Sequence, residues 1–238
     1  MKFVIVLMII ASSLTTPADA EETAAEIIAE VHVLGPADTM QIDATMTIRE
    51  GSSQADRRLE GWYRRADRDL SMFVQVVEPP FLRDMKLLLL RRGSREDNWM
   101  RTSRGVRRLG ASSGQERVFG SHFTVSDMTA VDPAVQTVQL VDSSAEEILI
   151  EVQDREGRGY RRFAIQPENR IIRGIQFFDD SGDLVKEYEL LSLESVDGQP
   201  VPMRGRMRLA NGDSTTISVN EIVFPSSIPG RYFNRGNL

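Results

Sequence analysis

From residue 40 onward, apolar and polar residues alternate in short stretches, and that period limits what the chain can become. Met40, Ile42, Ala44, Met46 and Ile48 alternate with Gln41, Asp43, Thr45, Thr47 and Arg49. Successive side chains of a strand point to opposite faces, so the pattern gives a strand with one buried face. Leu70, Met72, Val74 and Val76 repeat it, as do Ile148, Ile150 and Val152, and Met203, Met207 and Leu209 set against Arg204, Arg206 and Arg208. Turn signals follow at short intervals: Glu156-Gly157, Pro167-Glu168-Asn169, Asp179 to Gly182, Asp197-Gly198 and Asn211-Gly212-Asp213. About eleven strands joined in this way describe an antiparallel meander.

Glu21 to Leu34 reads as the one long helix. Ile27, Ile28, Val31 and Leu34 share a face, acidic residues occupy the early turns, and Gly35-Pro36 ends it. Short helical pieces fit Ser126 to Val131. No linker, repeat or low-complexity tract divides the chain. The expectation is a single mainly β (α+β) domain over residues 21–238: one strongly curved antiparallel sheet, or incomplete β-barrel, with an N-terminal helix and a short helical lid. A transmembrane barrel shares the strand pattern, but long loops and aromatic girdles are missing from this sequence.

Residues 1–20 carry a different message. Met1-Lys2 is a basic start, Phe3 to Ala11 is apolar, and Ala18-Asp19-Ala20 is a small-x-small cleavage signature before Glu21. This is the three-part layout of a secretory signal peptide. As a helix, about a dozen apolar residues rise only ~18 Å against a hydrocarbon core of roughly 30 Å, too short for a span. Cleavage near Ala20-Glu21 would release the chain to the periplasm. The chain contains no cysteine, which removes the lipid attachment point of a bacterial lipoprotein, disulfides and thiol chemistry together.

The formal net charge of −6 is an average. Residues 57–117 hold fifteen basic and eight acidic residues, a net of +7, so the remainder of the chain after residue 20 carries −13. The arginines of this segment suit a solvated surface or an anionic partner such as a phospholipid headgroup. Nucleic acid is not expected, given the acidic balance and the export signal. Catalytic patterns are few. Gly110-Ala111-Ser112-Ser113-Gly114 matches the nucleophile-elbow spacing, but no apolar helix follows and the sole downstream histidine, His122, lies close by. His32 and His122 are far apart with no H-E-x-x-H, so no metal site, cofactor or enzyme activity is expected. His32 reads as a helix-end residue.

The stretch from Val74 to Ala130 is the most informative. It holds Glu78-Pro79-Pro80 after a strand, apolar Met85 to Leu90, Asn98-Trp99-Met100-Arg101, Val106-Arg107-Arg108-Leu109 and Phe119-Gly120-Ser121-His122-Phe123, ending in Ser126-Asp127-Met128. This order resembles the outer-membrane lipoprotein-sorting (LolA/LolB-like) superfamily, in particular its branch associated with RND-type exporters. Ile228-Pro229-Gly230-Arg231-Tyr232-Phe233 resembles that branch's ending. The chain departs from the branch pattern at Met100 to Thr102, which lack its tyrosine and proline. His122 replaces its aspartate, and Val125 its aromatic residue.

The resemblance implies an incomplete barrel with a helical lid over a concave face that cradles acyl chains. On that reading Ile42, Met46, Ile48, Met72, Val74, Val76, Leu87 and Leu89 would line the concavity, with Trp99 and Phe123 nearby. Pro79, Pro80 and Phe81 would form a rim loop, and Arg107 and Arg108 an anionic or partner contact. The chain would be a monomeric periplasmic carrier or chaperone for lipid acyl chains or lipoproteins. The alternative is a non-enzymatic accessory or sensor module of an RND-type exporter. Alternation alone leaves open whether the concave face is a filled core or a lined cavity.

Overall fold

The computed structural model describes residues 22–238 except 33, 67–68, 94, 111–112, 129–130 and 155–158. The expected signal peptide, the Glu156-Gly157 turn, and Ala111-Ser112 of the Ser/Gly cluster lie outside the described residues. Fourteen strands form one antiparallel sheet: β1 (Thr39–Glu50), β2 (Ser53–Ala66), β3 (Asp69–Glu78), β4 (Lys86–Arg92), β5 (Arg95–Glu96), β6 (Asn98–Thr102), β7 (Gly105–Leu109), β8 (Gln136–Ser143), β9 (Ile148–Asp154), β10 (Tyr160–Ile165), β11 (Ile172–Phe178), β12 (Leu184–Val196), β13 (Gln199–Leu209) and β14 (Ser214–Val223). The spatial order is β7-β6-β4-β3-β2-β1-β14-β13-β12-β11-β10-β9-β8, with β5 beside β4. The expectation of about eleven strands is corrected to fourteen. The difference lies in pieces such as two-residue β5, too short to display a period.

Hairpins build each half of the sheet, and β1 pairs with β14 to join the halves at the middle. The two edges are β7 and β8, which are consecutive in the chain. The segment that joins them leads from one edge of the sheet to the other, and its described residues 113–128 lie on the inner face. They do so with 3-10 turns, Val118–Gly120 and Val125–Asp127, so among the described residues the cover here is a strap of turns and no long helix.

The helix is shorter than its sequence pattern suggests. α1 spans Ala24–Glu30, opened by a capping box in which Thr23 and Glu26 satisfy each other's backbone N–H groups. Val31 is already extended, and the His32 N–H donates to Arg170 O at 2.9 Å in a bridge with Ile171. Pairing with the sheet end overrides helical periodicity beyond Glu30. Ile27 and Ile28 pack on Ile148, Ile150, Phe163 and Ile165 of β9 and β10. Thus α1 covers one half of the inner face and the strap covers the other.

Candidate functional site: the inner face and its strap

Register assigns each side chain to a face. One inner row runs Ile42, Gly61, Val74, Leu87, Met100 across β1, β2, β3, β4 and β6, and another runs Met40, Tyr63, Met72, Leu89. Ala44, Leu59 and Val76 form a third. Eight of the expected lining residues (Ile42, Met46, Ile48, Met72, Val74, Val76, Leu87 and Leu89) therefore share this face.

Trp99 does not join them, and its expected place is corrected. It lies in an outer row with Trp62, Phe73 and Leu88. That row is covered by the C-terminal segment: Tyr232 stacks on Trp62 with ring centres 4.2 Å apart, and the Arg235 guanidinium sits 4.1 Å over the Trp99 ring. Lys86 Nζ donates to Asn237 O at 2.8 Å, which ties the segment down. Both faces of β4 are thus buried, which explains its unbroken Leu87-Leu88-Leu89-Leu90 run. Parity with Met100 was the signal that could have placed Trp99 outside.

The strap fills the concavity. Val118, Phe119 and Val125, each almost fully buried, pack among Met46, Ile48, Val76, Leu87 and Met100. Phe119 adopts φ 52°, a left-handed conformation uncommon for a bulky residue, which its packing on the inner face sustains. Phe123 is on the inner side as expected, but in a separate patch with Phe177 and Met207. Tyr188 closes this patch: its hydroxyl lies 2.5 Å from where a Cβ on Gly205 would stand, so only glycine fits beneath the ring. Burial pushes the Tyr188 phenol up to about 12. The strap residues were invisible to period arguments because they sit in turns.

Polar contacts fasten the strap. The Lys186 ammonium donates to both Asp127 oxygens at 2.9 and 2.6 Å, with the two side chains 12% and 5% exposed. The His122 N–H donates to Thr215 Oγ1 at 3.0 Å, and His122 Nδ1 lies 2.8 Å from the same hydroxyl. With the Thr215 proton directed at Nδ1, we assign the ring proton to Nε2. Burial, with the nearby Arg117 charge, holds the His122 ring below its ordinary pKa.

The rim residues separate into two kinds. Pro80–Leu82 is a 3-10 turn whose Leu82 packs on the inner cluster while Phe81 stands 82% exposed. Arg107 and Arg108, expected as an anionic contact, each have a carboxylate at hand: Arg107 pairs with Glu116, and Arg108 Nε lies 2.9 Å from Asp97. Open depressions include one of about 430 Å³ beside Pro36, Asp197 and Phe224, and one of about 580 Å³ over the polar row Arg162, Gln176, Glu187 and Arg208. Among the described residues, no three His, Asp or Glu side chains converge as metal ligands, and no helix is long and apolar enough to cross a membrane.

A family model described only as "Uncharacterized protein" matches residues 68–238. No curated protein matches the chain. Solved structures match across most of its length. A DUF1329 family protein from Desulfovibrio piger is 16% identical with a TM-score of 0.75, covering 85% of this chain and 92% of its own. A domain assigned to outer membrane lipoprotein sorting in Vibrio parahaemolyticus is 13% identical with a TM-score of 0.77, covering 90% and 95%. A LolA superfamily protein from Nitrosomonas europaea is 17% identical with a TM-score of 0.68, covering 91% and 100%. At these identities the likeness establishes the fold, and the fold is the LolA-like one that the sequence resembles.

Proposed function

The chain belongs to the family whose model matches residues 68–238, and on that premise we propose that it is a periplasmic carrier that binds lipid acyl chains on the inner face of its open sheet. Such a carrier works by reversible burial, without cofactor or catalysis. The observation that carries the reading is the apolar inner face, built from β1 to β4 and β6 and covered by a strap of 3-10 turns with a single Arg117–Thr124 bridge among the described residues. Lipoproteins are the cargo that the lipoprotein-sorting neighbour suggests.

The strap must yield for a chain to enter, and the magnitudes allow it. A sixteen-carbon chain leaving water gains about 12 kcal/mol, at ~0.8 kcal/mol per methylene, against about 6 kcal/mol for uncovering Phe119, Val118 and Val125 at ~2 kcal/mol each and about 3–5 kcal/mol for unfastening Lys186 from Asp127. An acyl chain can therefore compete with the strap for the face.

A second reading is an accessory or sensor module of an RND-type exporter. It is favoured by the same strap, since an inner face already filled needs no ligand, and by the exposed Phe81 as a contact. Lipid mass spectrometry of protein isolated from cell envelopes, with titration of a fluorescent fatty acid, separates the two. The carrier reading expects co-purified lipid and saturable probe binding. Ligand-free protein that ignores the probe rejects it.

A further inference from the structure

One rim of the inner face ends in charge. Register sets Arg57 opposite Met46, with Glu50 two residues beyond Ile48 on the same side of β1. Thr215 of β14 stands opposite Ile48. The 117–122 loop of the strap lies over this group. Its Arg117 donates to Glu50 Oε1 at 2.5 Å, to Ser121 O at 2.6 Å and to Gly120 O at 2.7 Å. A Cβ on Gly120 would stand 3.4 Å from Arg57 Nη2, so the loop backbone rests against that guanidinium.

Three buried nitrogens here have no hydrogen-bond partner: Nε and Nη1 of Arg57 and Nε2 of His122. The two Arg57 nitrogens are N–H donors whatever the histidine tautomer, and His122 Nε2 is a third when Thr215 donates to Nδ1. The carboxylates nearby are engaged elsewhere. Glu50 serves Arg117 and lies 3.6 Å from His122 Nε2, beyond hydrogen-bond reach, while Asp213 takes the Gly51 N–H at 2.8 Å and the Asn211 amide at 2.9 Å. Guanidinium nitrogens shut off from water are costly without an acceptor, and the half-buried Arg57 has two of them on a planar fork that matches an oxyanion.

We infer that this rim holds the anionic head group, carboxylate or phosphate, of an amphiphile whose chain lies on the Met46 and Ile48 side of the inner face, with Arg57 as its principal contact. The inference rests on the carrier reading and adds to it the polarity of the cargo and the end at which it sits. It also accounts for a charged residue kept in a row that continues through Met46 and Ile217.

Competition for a bound fluorescent fatty acid tests it, using dodecanoate and dodecanol, which share a chain and differ in head charge. The full chain after residue 20 is compared with its Arg57→Met variant, and thermal melting of both reports folding. Dodecanoate is expected to bind the unaltered protein about tenfold tighter than dodecanol, the scale of a hydrogen bond to a charged group. Arg57→Met is expected to erase that preference without a fall in melting temperature. Equal binding of both compounds by the unaltered protein overturns the inference and leaves the carrier reading standing. Binding of neither overturns both. Arg57-dependent binding of inorganic phosphate in calorimetry, without a dodecanoate preference, assigns the donors to a free oxyanion and overturns the amphiphile.

Discussion

Replacing Phe119 with alanine removes the largest side chain that the strap contributes to the inner face. Phe119 is 1% exposed and packs among Met46, Ile48, Leu87, Met100 and Leu109. Truncations of this kind cost about 3–5 kcal/mol, the transfer term plus the cavity. For a domain of this size each kcal/mol lowers the melting point by about 2–4 °C, so Phe119→Ala should melt about 10 °C lower. Phe119→Leu, which keeps most of the volume, should cost about 1 kcal/mol. The same truncation takes about 2 kcal/mol from the strap's hold on the face, so an acyl probe that competes with the strap should bind up to about thirtyfold tighter. Calorimetric melting and fluorescent fatty-acid titration read the two effects. Unchanged stability would refute the burial of Phe119. A destabilised variant that binds the probe no better would refute competition between strap and ligand.

Asp127→Asn strips the almost buried Lys186 of its counter-charge and should cost about 3–5 kcal/mol, with faster amide exchange concentrated in residues 118–128; exchange spread evenly over the chain would contradict a strap fastened at this point. Gly205→Ala drives a Cβ into the Tyr188 ring and should cost about 1–3 kcal/mol with a changed near-ultraviolet tyrosine signal, whereas Gly212→Ala, where a Cβ meets nothing, should leave that signal intact. Acid should weaken the fold through histidine. Burial, reinforced by Arg65, depresses the His32 ring from 6.5 to about 4, and His122 is depressed in the same direction. Between about pH 6.5 and 4 the unfolded chain therefore takes up protons that the folded chain does not. Stability should fall as the pH drops through this window, and His32→Gln should flatten the slope; an unchanged slope in urea titrations would contradict the assignment.

Much of the sheet was legible because the strand period is exact in the residues that matter. Ile42, Val74 and Leu87 lie in one inner row, as their alternation requires, although each is on a different strand. The short strands β5 to β7 carry too few residues to show a period, which is why the strand count came out low. The helix was overextended because Val31 and Leu34 continue the pattern of Ile27 and Ile28, yet His32 bridges to Ile171 and Leu34 packs in a different cluster. The strap was the harder part. Phe119 fills the concavity from a turn with a positive φ, and no periodicity announces that. Arg57 shows the same limit: in the sequence it is one arginine among many, and only the register opposite Met46 puts it on the inner face. Within the central basic segment some arginines are paired locally, as Arg108 with Asp97 and Arg101 with Asp84, which the charge count does not reveal.

Amide hydrogen exchange on the full chain after residue 20, with and without a long-chain fatty acid, tests the central claim most directly. If an acyl chain takes the place of the strap on the inner face, residues 118–128 lose protection on binding while Leu87, Leu88 and Leu89 of β4 keep theirs. A fatty acid that leaves the exchange of 118–128 unchanged, or slows it, would contradict the account.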